Sequence, residues 1–452
     1  MEQRKESSMG IKHVLKEFSE KQLFPHIAGH GETAPCVQEN IDKLLADSRF
    51  QQAMEYLKND AANCLQELKE MVVISGAPFH EGERRAPMYR DKLAAYGAEN
   101  CEIDAEGNVL GTVSGTGLRP EIIVEGHMDT VFSKDIPLKV TEGEDGWLFC
   151  PGIGDDTAAL ACNLSVLRAI RHAGLKPVGT LRFCGTVGEE GEGNARGIRC
   201  LMKSHPDVDA VISVESRGVE HVGLDAVGIR RYEVAFKGPG GHSWKDFGTP
   251  NPIHAMGRAI ASISELAVPS NPRTSFSVGV VNGGTTINSL PQSAVMKIDM
   301  RSVDMVELSV LDVEVQSAVL TAVAAENKRW GVKEGGISAE KKVIGAIPAG
   351  RLPSDAPLAQ LAMAATRAVG ISAEWAPPSS TNQNIPVSMG IPAIVVGAGG
   401  RFRSCHKVEE SYHPEKAWLA AQKLLILLFA AAGLDGVTDP IAQKITARGP
   451  VA

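Results

Sequence analysis

Ile122-Ile123-Val124-Glu125-Gly126-His127-Met128-Asp129 is an apolar run that stops on an H-x-D triplet. Its branched apolar centre is what a strand buried on both faces requires, and such strands belong to parallel sheets covered by helices. In those sheets ligands bind beyond the carboxyl ends of the strands, so the residues after Val124 carry the interest. A neutral imidazole at His127 suits a metal ion, and Asp129 is spaced to accept the ring's other N–H and orient it. A surface histidine with a chance acidic neighbour is the plainer alternative.

Outward from this stretch the same pattern recurs. Thr180–Thr186 reads as a strand followed by Gly188-Glu189-Glu190-Gly191-Glu192-Gly193, and Ala210–Val214 as a strand ending on Glu215. Pro392–Val396 is a strand followed by Gly397-Ala398-Gly399-Gly400 and, after a loop, Cys405-His406. Gly152-Ile153-Gly154-Asp155-Asp156-Thr157 opens a helix over Asp156–Ala173 that Gly174 stops. Further helices are expected over 51–72, 84–97, 198–204, 357–369 and 416–432. Residues 1–50 look helical and polar and carry no assignable chemistry. Strands alternating with helices predict an α/β fold with a mostly parallel, helix-covered sheet.

The acidic residues at this edge have competing readings. Glu189 and Glu190 repel each other and need solvent, a raised pKa or a cation. With a cation, one ligates and the other is free to take a proton from water. Asp155 is either a helix cap or a carboxylate whose two oxygens join two cations. Each segment alone is a weak signal; their common position at the strand edge ties them together.

A block with another rhythm interrupts the alternation. Arg230–Lys237, Pro252–Leu266, Thr274–Val281, Ser293–Ser302, Met305–Trp330 and Ile337–Ile344 follow the order β-α-β-β-α-β. The expected division is an inserted ferredoxin-like α+β domain at 229–345. The main domain is then 1–228 plus 346–452, with 1–50 as its helical extension.

The chain has 452 residues, formal charge −8, 43% hydrophobic and 22% charged residues, which suits two folded domains and disfavours nucleic acid as a partner. No secretory h-region is visible at the start, and no window reads as a membrane span. The eight cysteines lack any C-x-x-C pair, which points to reduced thiols and a cytoplasmic setting.

G-H-M-D-T-V, G-D-D-x-A-A, G-E-E-G-E-G, V-E-S, G-G-H-S and C-H-K-V-E-E, in this order, resemble the zinc-dependent aminoacylase/carboxypeptidase-G/peptidase-T-like metallopeptidase family. The resemblance covers about residues 65–430 and implies a zinc-exopeptidase-like main domain with a lid and dimerisation domain. It implies two divalent metals, zinc first and manganese or cobalt as alternatives. His127 and Glu215 would hold one, Glu190 and His406 the other, and Asp155 would bridge them. It makes Asp129 the orienting residue, Glu189 the general base and His242 the oxyanion donor. It places Asn288 and Arg301 on the substrate or the neighbouring subunit, and Arg351 on a substrate carboxylate. Two departures stand out: Thr157 where relatives often carry Lys, and Asn382 where they often carry Asp, the latter bearing on which substrate group, or which contact behind the site, is recognised.

The expectation is a dinuclear hydrolase cutting an amide or peptide C–N bond of a small peptide or N-acyl amino acid. It would work as a homodimer through the lid. The alternatives are hydrolysis of a ureido, amidine or amino-aromatic C–N bond, and a non-catalytic binding protein on the same fold.

Overall fold

The structure is a computed structural model that describes residues 34–117 and 119–442; the helical reading of residues 1–33 lies outside them. The described residues form two compact units, Val227–Gly350 and 34–226 with 351–442.

In the larger unit an eight-stranded sheet runs in the order Glu99–Ile103, Val109–Val113, Thr180–Thr186, Glu121–His127, Ala210–Glu215, Ala393–Gly397, His221–Gly223, Glu374–Trp375. The four strands from Thr180–Thr186 to Ala393–Gly397 are mutually parallel, and the flanks add antiparallel pairs. Ile122, Ile123, Val124, Val211, Ile212 and Ile394 are all 0% exposed. Each such burial contributes about 1.5–3 kcal/mol. The register sets His127 beside Thr186 and Gly397 beside Glu215, so these strands end level and open their following loops onto one edge.

The helix Thr157–His172 packs on Glu121–His127. Gly126 makes that approach possible: a Cβ there would lie 3.0 Å from Asp156 Oδ2 and 3.1 Å from Ala159 Cβ. The expected helix over 51–72 is split into Ser48–Asn59 and Ala61–Val72. The break falls at Asp60, whose buried carboxylate accepts hydrogen bonds from Ser165 Oγ at 2.7 Å and Arg168 Nη2 at 2.6 Å.

The smaller unit has an antiparallel sheet in the order Thr274–Gly283, Ser293–Ser302, Gly228–Lys237, Ser338–Ile347. Helices Pro252–Ser264 and Met305–Arg329 pack on it, giving β-α-β-β-α-β along the chain. Asn251 and Asp304 cap them by accepting backbone N–H groups of their first turns. One expectation needs correction. Met305–Arg329 is, by length and composition alone, apolar enough to cross a membrane. Its Leu308, Leu311, Val315 and Val319 instead pack into the core with Phe236, Met296 and Ile298.

Candidate metal centre

Four strand ends and one helix start converge in the larger unit. His127, 1% exposed, brings Nε2 to 3.0 Å from Asp155 Oδ1. His406 brings its Nε2 to 3.2 Å from Asp155 Oδ2 and 2.7 Å from Glu190 Oε1. Asp155 therefore faces one imidazole with each oxygen. Three overlapping groups offer ligand atoms within 4.8 Å of one another: His127, Asp155, Asp156 and Glu215; His127, Glu189 and Glu190; Asp155, Glu190 and His406. The Asp155–Asp156 peptide is cis.

The electrostatics are those of crowded anions in a dry place. Burial raises the carboxyl pKa of Glu189 and Asp156 well above the usual range and pushes Glu215 up to about 8, with neighbouring carboxylates adding to it. Burial opposes a proton on His127, but Asp129 and Asp155 outweigh it and hold that pKa high. Hydrogen bonds to Asp155 and Glu190 raise His406 to about 10. Carboxylate oxygens packed around two imidazoles are the donor set that divalent zinc, manganese or cobalt neutralises, so these residues fit such ions.

Asp129 faces the His127 ring with both its main chain and its side chain. The nearest partner of His127 Nδ1 is the main-chain oxygen of Asp129 at 3.0 Å; the carboxylate lies at 3.6 Å. That carboxylate is engaged by the N–H groups of Glu189 at 3.1 Å and Glu190 at 2.8 Å. One residue thus meets the ring through its backbone and its carboxylate, and holds the Glu-Glu turn through the same carboxylate.

Other supports carried no signal that sequence reading used. Glu81 accepts the Gly188 N–H at 3.2 Å and pairs with Arg196 at 2.8 Å. The buried Arg85 donates to Met128 O at 2.9 Å. Glu410, the last residue of C-H-K-V-E-E, accepts three backbone N–H groups from the Gly152–Asp155 turn. Burial pushes its pKa up to about 7 against those bonds.

Asn382 requires correction. It is 0% exposed, and its Nδ2 donates to Glu125 Oε2 and Thr186 Oγ1, both at 2.9 Å. It braces two strands and has no surface for a substrate. Thr157 spends its hydroxyl on Gly152 O at 2.7 Å. Arg351 has an exposed side chain 3.2 Å from Asp225 Oδ1.

The remaining expected residues lie in the Val227–Gly350 unit. His242 donates its N–H to Asp246 at 2.6 Å, and its Nδ1 accepts the Trp244 N–H at 3.2 Å. Asn288 is beside it, its carbonyl accepting the Ser243 N–H at 3.1 Å. Arg301 is apart from these two in the hydrogen-bond pattern, its Nε 2.7 Å from Asp299 Oδ2.

Fold and site together define a class: α/β proteins with a cluster of metal-ligand type side chains at the strand ends and an α+β unit inserted in the chain. The chain belongs to Peptidase family M20/M25/M40, whose sequence profile matches residues 123–430. It is 27% identical over 202 residues to carboxypeptidase G2 of Pseudomonas sp. (strain RS-16), covering 43% of this chain and 47% of that protein. It is 26% identical over 207 residues to N-acetylcysteine deacetylase of Bacillus subtilis (strain 168), covering 43% of this chain and 53% of that one. The matched stretch thus spans about half the length of these curated relatives. Among solved structures it resembles a tripeptidase of Staphylococcus aureus (TM-score 0.68, 21% identity, 81% of this chain and 97% of that one). It also resembles a dinuclear metal-binding M20 peptidase of Bacillus subtilis (TM-score 0.62, 17% identity, 82% and 98%). Membership of a peptidase family speaks against the non-catalytic reading.

Proposed function

We propose that this protein is a hydrolase that cleaves the amide or peptide C–N bond of a small peptide or N-acyl amino acid, using two divalent cations. His127, Asp155 and Glu215 would hold one; Asp155, Glu190 and His406 the other. The observation that carries the reading is Asp155 spanning the two imidazoles, 3.0 Å from His127 and 3.2 Å from His406. When bound, the cations supply Lewis acidity, which makes water nucleophilic at neutral pH and polarises the scissile carbonyl. Zinc is the first expectation, with manganese and cobalt compatible with the same donors.

Glu189, in the same cluster but left out of both ligand sets, takes the proton from the attacking water and returns it to the leaving nitrogen. Asp129 keeps Glu189 in place through the backbone N–H. His242 is the proposed oxyanion donor: with Nδ1 accepting from Trp244, Nε2 is the ring nitrogen left to donate. Asn288 is proposed to contact substrate beside it, and Arg301 and Arg351 to grip a substrate carboxylate. The Val227–Gly350 unit is proposed as lid and dimerisation domain, and the setting as cytoplasmic.

Carboxypeptidase G2 and N-acetylcysteine deacetylase, by their names, act on amide-linked amino acids, which agrees with this reading. The ureido, amidine or amino-aromatic alternative drew on Asn382, which is buried and carries no argument about substrate. The test is a screen of zinc-, manganese- and cobalt-loaded protein against di- and tripeptides, N-acyl amino acids, ureido compounds and aryl amines. Free amine or acid release from peptides or N-acyl amino acids, abolished by chelation, is the expected result. Ammonia release from ureido or aryl amine substrates alone would overturn it.

A further inference from the structure

We infer that Glu410 is a positioning residue for the metal centre: its carboxylate locks the turn carrying Asp155 to the segment carrying His406. The inference rests on the reading that Asp155 and His406 hold the cations.

Glu410 is 1% exposed and lies 255 residues along the chain from Asp155. Its Oε1 accepts the N–H groups of Gly154 at 2.8 Å and Asp155 at 2.9 Å, and its Oε2 that of Gly152 at 3.0 Å. Its main-chain oxygen accepts the Cys150 N–H at 3.2 Å. Four N–H groups of one short turn thus end on one residue. Three of these N–H groups converge on one carboxylate, which fixes the spacing of the turn. The close approach needs Gly154, where a Cβ would lie 2.6 Å from Phe402 Cδ1 and 3.1 Å from Glu410 Oε1.

On the other side, Glu410 ends a stretch of tight turns that begins just before His406. The Lys407 N–H reaches Ser404 O at 3.0 Å, and the Glu410 N–H reaches Lys407 O at 2.9 Å. His406 itself has a φ of 66°, a left-handed conformation that a non-glycine residue keeps only where its surroundings enforce it. Glu410 therefore anchors the proposed bridging ligand through its carboxylate and is joined to the proposed terminal ligand through the backbone turns between them. A glutamine at 410 keeps the shape but replaces one acceptor oxygen with an NH2 group, which faces backbone N–H groups donor to donor. The ligands remain, and their spacing is no longer enforced.

The test uses the full chain as wild type, E410Q, E410D and D155N. Zinc stoichiometry is counted after dialysis, zinc affinity is measured by competition with a chelator of known affinity, and activity is titrated against free zinc. E410Q is expected to bind zinc roughly 10–100-fold more weakly, the range typical of lost support around metal ligands. Its zinc activation midpoint should shift by the same factor. A merely structural role would lower the activity plateau and the melting temperature without moving that midpoint. If E410Q does not fold, E410D, which keeps the charge one methylene short, should show a smaller shift of the same sign. Wild-type zinc affinity in a folded E410Q or E410D, with D155N impaired, overturns the inference alone. Two zinc ions at wild-type affinity in D155N would overturn the ligand assignment beneath it.

Discussion

Glu189 and Glu190 are chain neighbours given different work, and Asp129 holds both by their N–H groups. Glu189→Gln is predicted to retain bound metal and lose about 10²–10⁴-fold in kcat, the span general-base removal covers. Metal analysis beside steady-state kinetics checks it, and near-normal turnover would refute the base assignment. Asp129→Asn keeps only one acceptor oxygen for those two N–H groups. Its zinc affinity is predicted to fall roughly 10–100-fold, read by chelator competition, and an unchanged affinity would deny it the role. H-x-D and E-E were legible in the sequence because imidazole and carboxylate chemistry is tied to residue type. What Asp129 actually grips was not legible, since its partners lie 60 and 61 residues away and are backbone groups, which every residue has. Asn382 misled for the converse reason: a motif position reveals no burial.

At the scale of elements, the four parallel strands and the order of the smaller unit were readable from apolar runs and alternation. His221–Gly223 and Glu374–Trp375 were not, because strands of three and two residues carry no period. The closing helix Trp418–Ala432 reads as an apolar run, yet it includes Lys423, which is fully buried with Nζ donating to Val219 O at 2.8 Å and His221 O at 2.9 Å. Burial lowers its pKa to about 7. Between that value and the unfolded value near 10.4, the unfolded chain binds more protons than the folded one, so this group makes stability rise with pH there. Below pH 7 its penalty is constant. Lys423→Met removes this slope. The stability of wild type minus that of K423M is predicted to grow by roughly 1–2 kcal/mol from pH 7 to pH 9, measured by urea unfolding. A difference flat with pH would show that the amine stays protonated.

The whole molecule adds an association surface and a metal count. In the Val227–Gly350 unit, Thr274–Gly283 is an edge strand with Val280 44% and Val281 53% exposed, and Ile253 of the adjacent helix Pro252–Ser264 is 36% exposed. An uncovered apolar edge of this kind invites pairing with another chain. Light scattering is predicted to give a dimer mass, and Val281→Lys to shift it towards monomer; a wild-type monomer would contradict the proposed homodimer. The account as a whole stands on Asp155 joining two cation sites, and crystals of zinc-loaded protein measured at the zinc absorption edge test it most directly. The predicted map has two anomalous peaks per chain: one contacted by His127, Asp155 and Glu215, the other by Asp155, Glu190 and His406. A single peak, or two peaks that share no ligand, would contradict it.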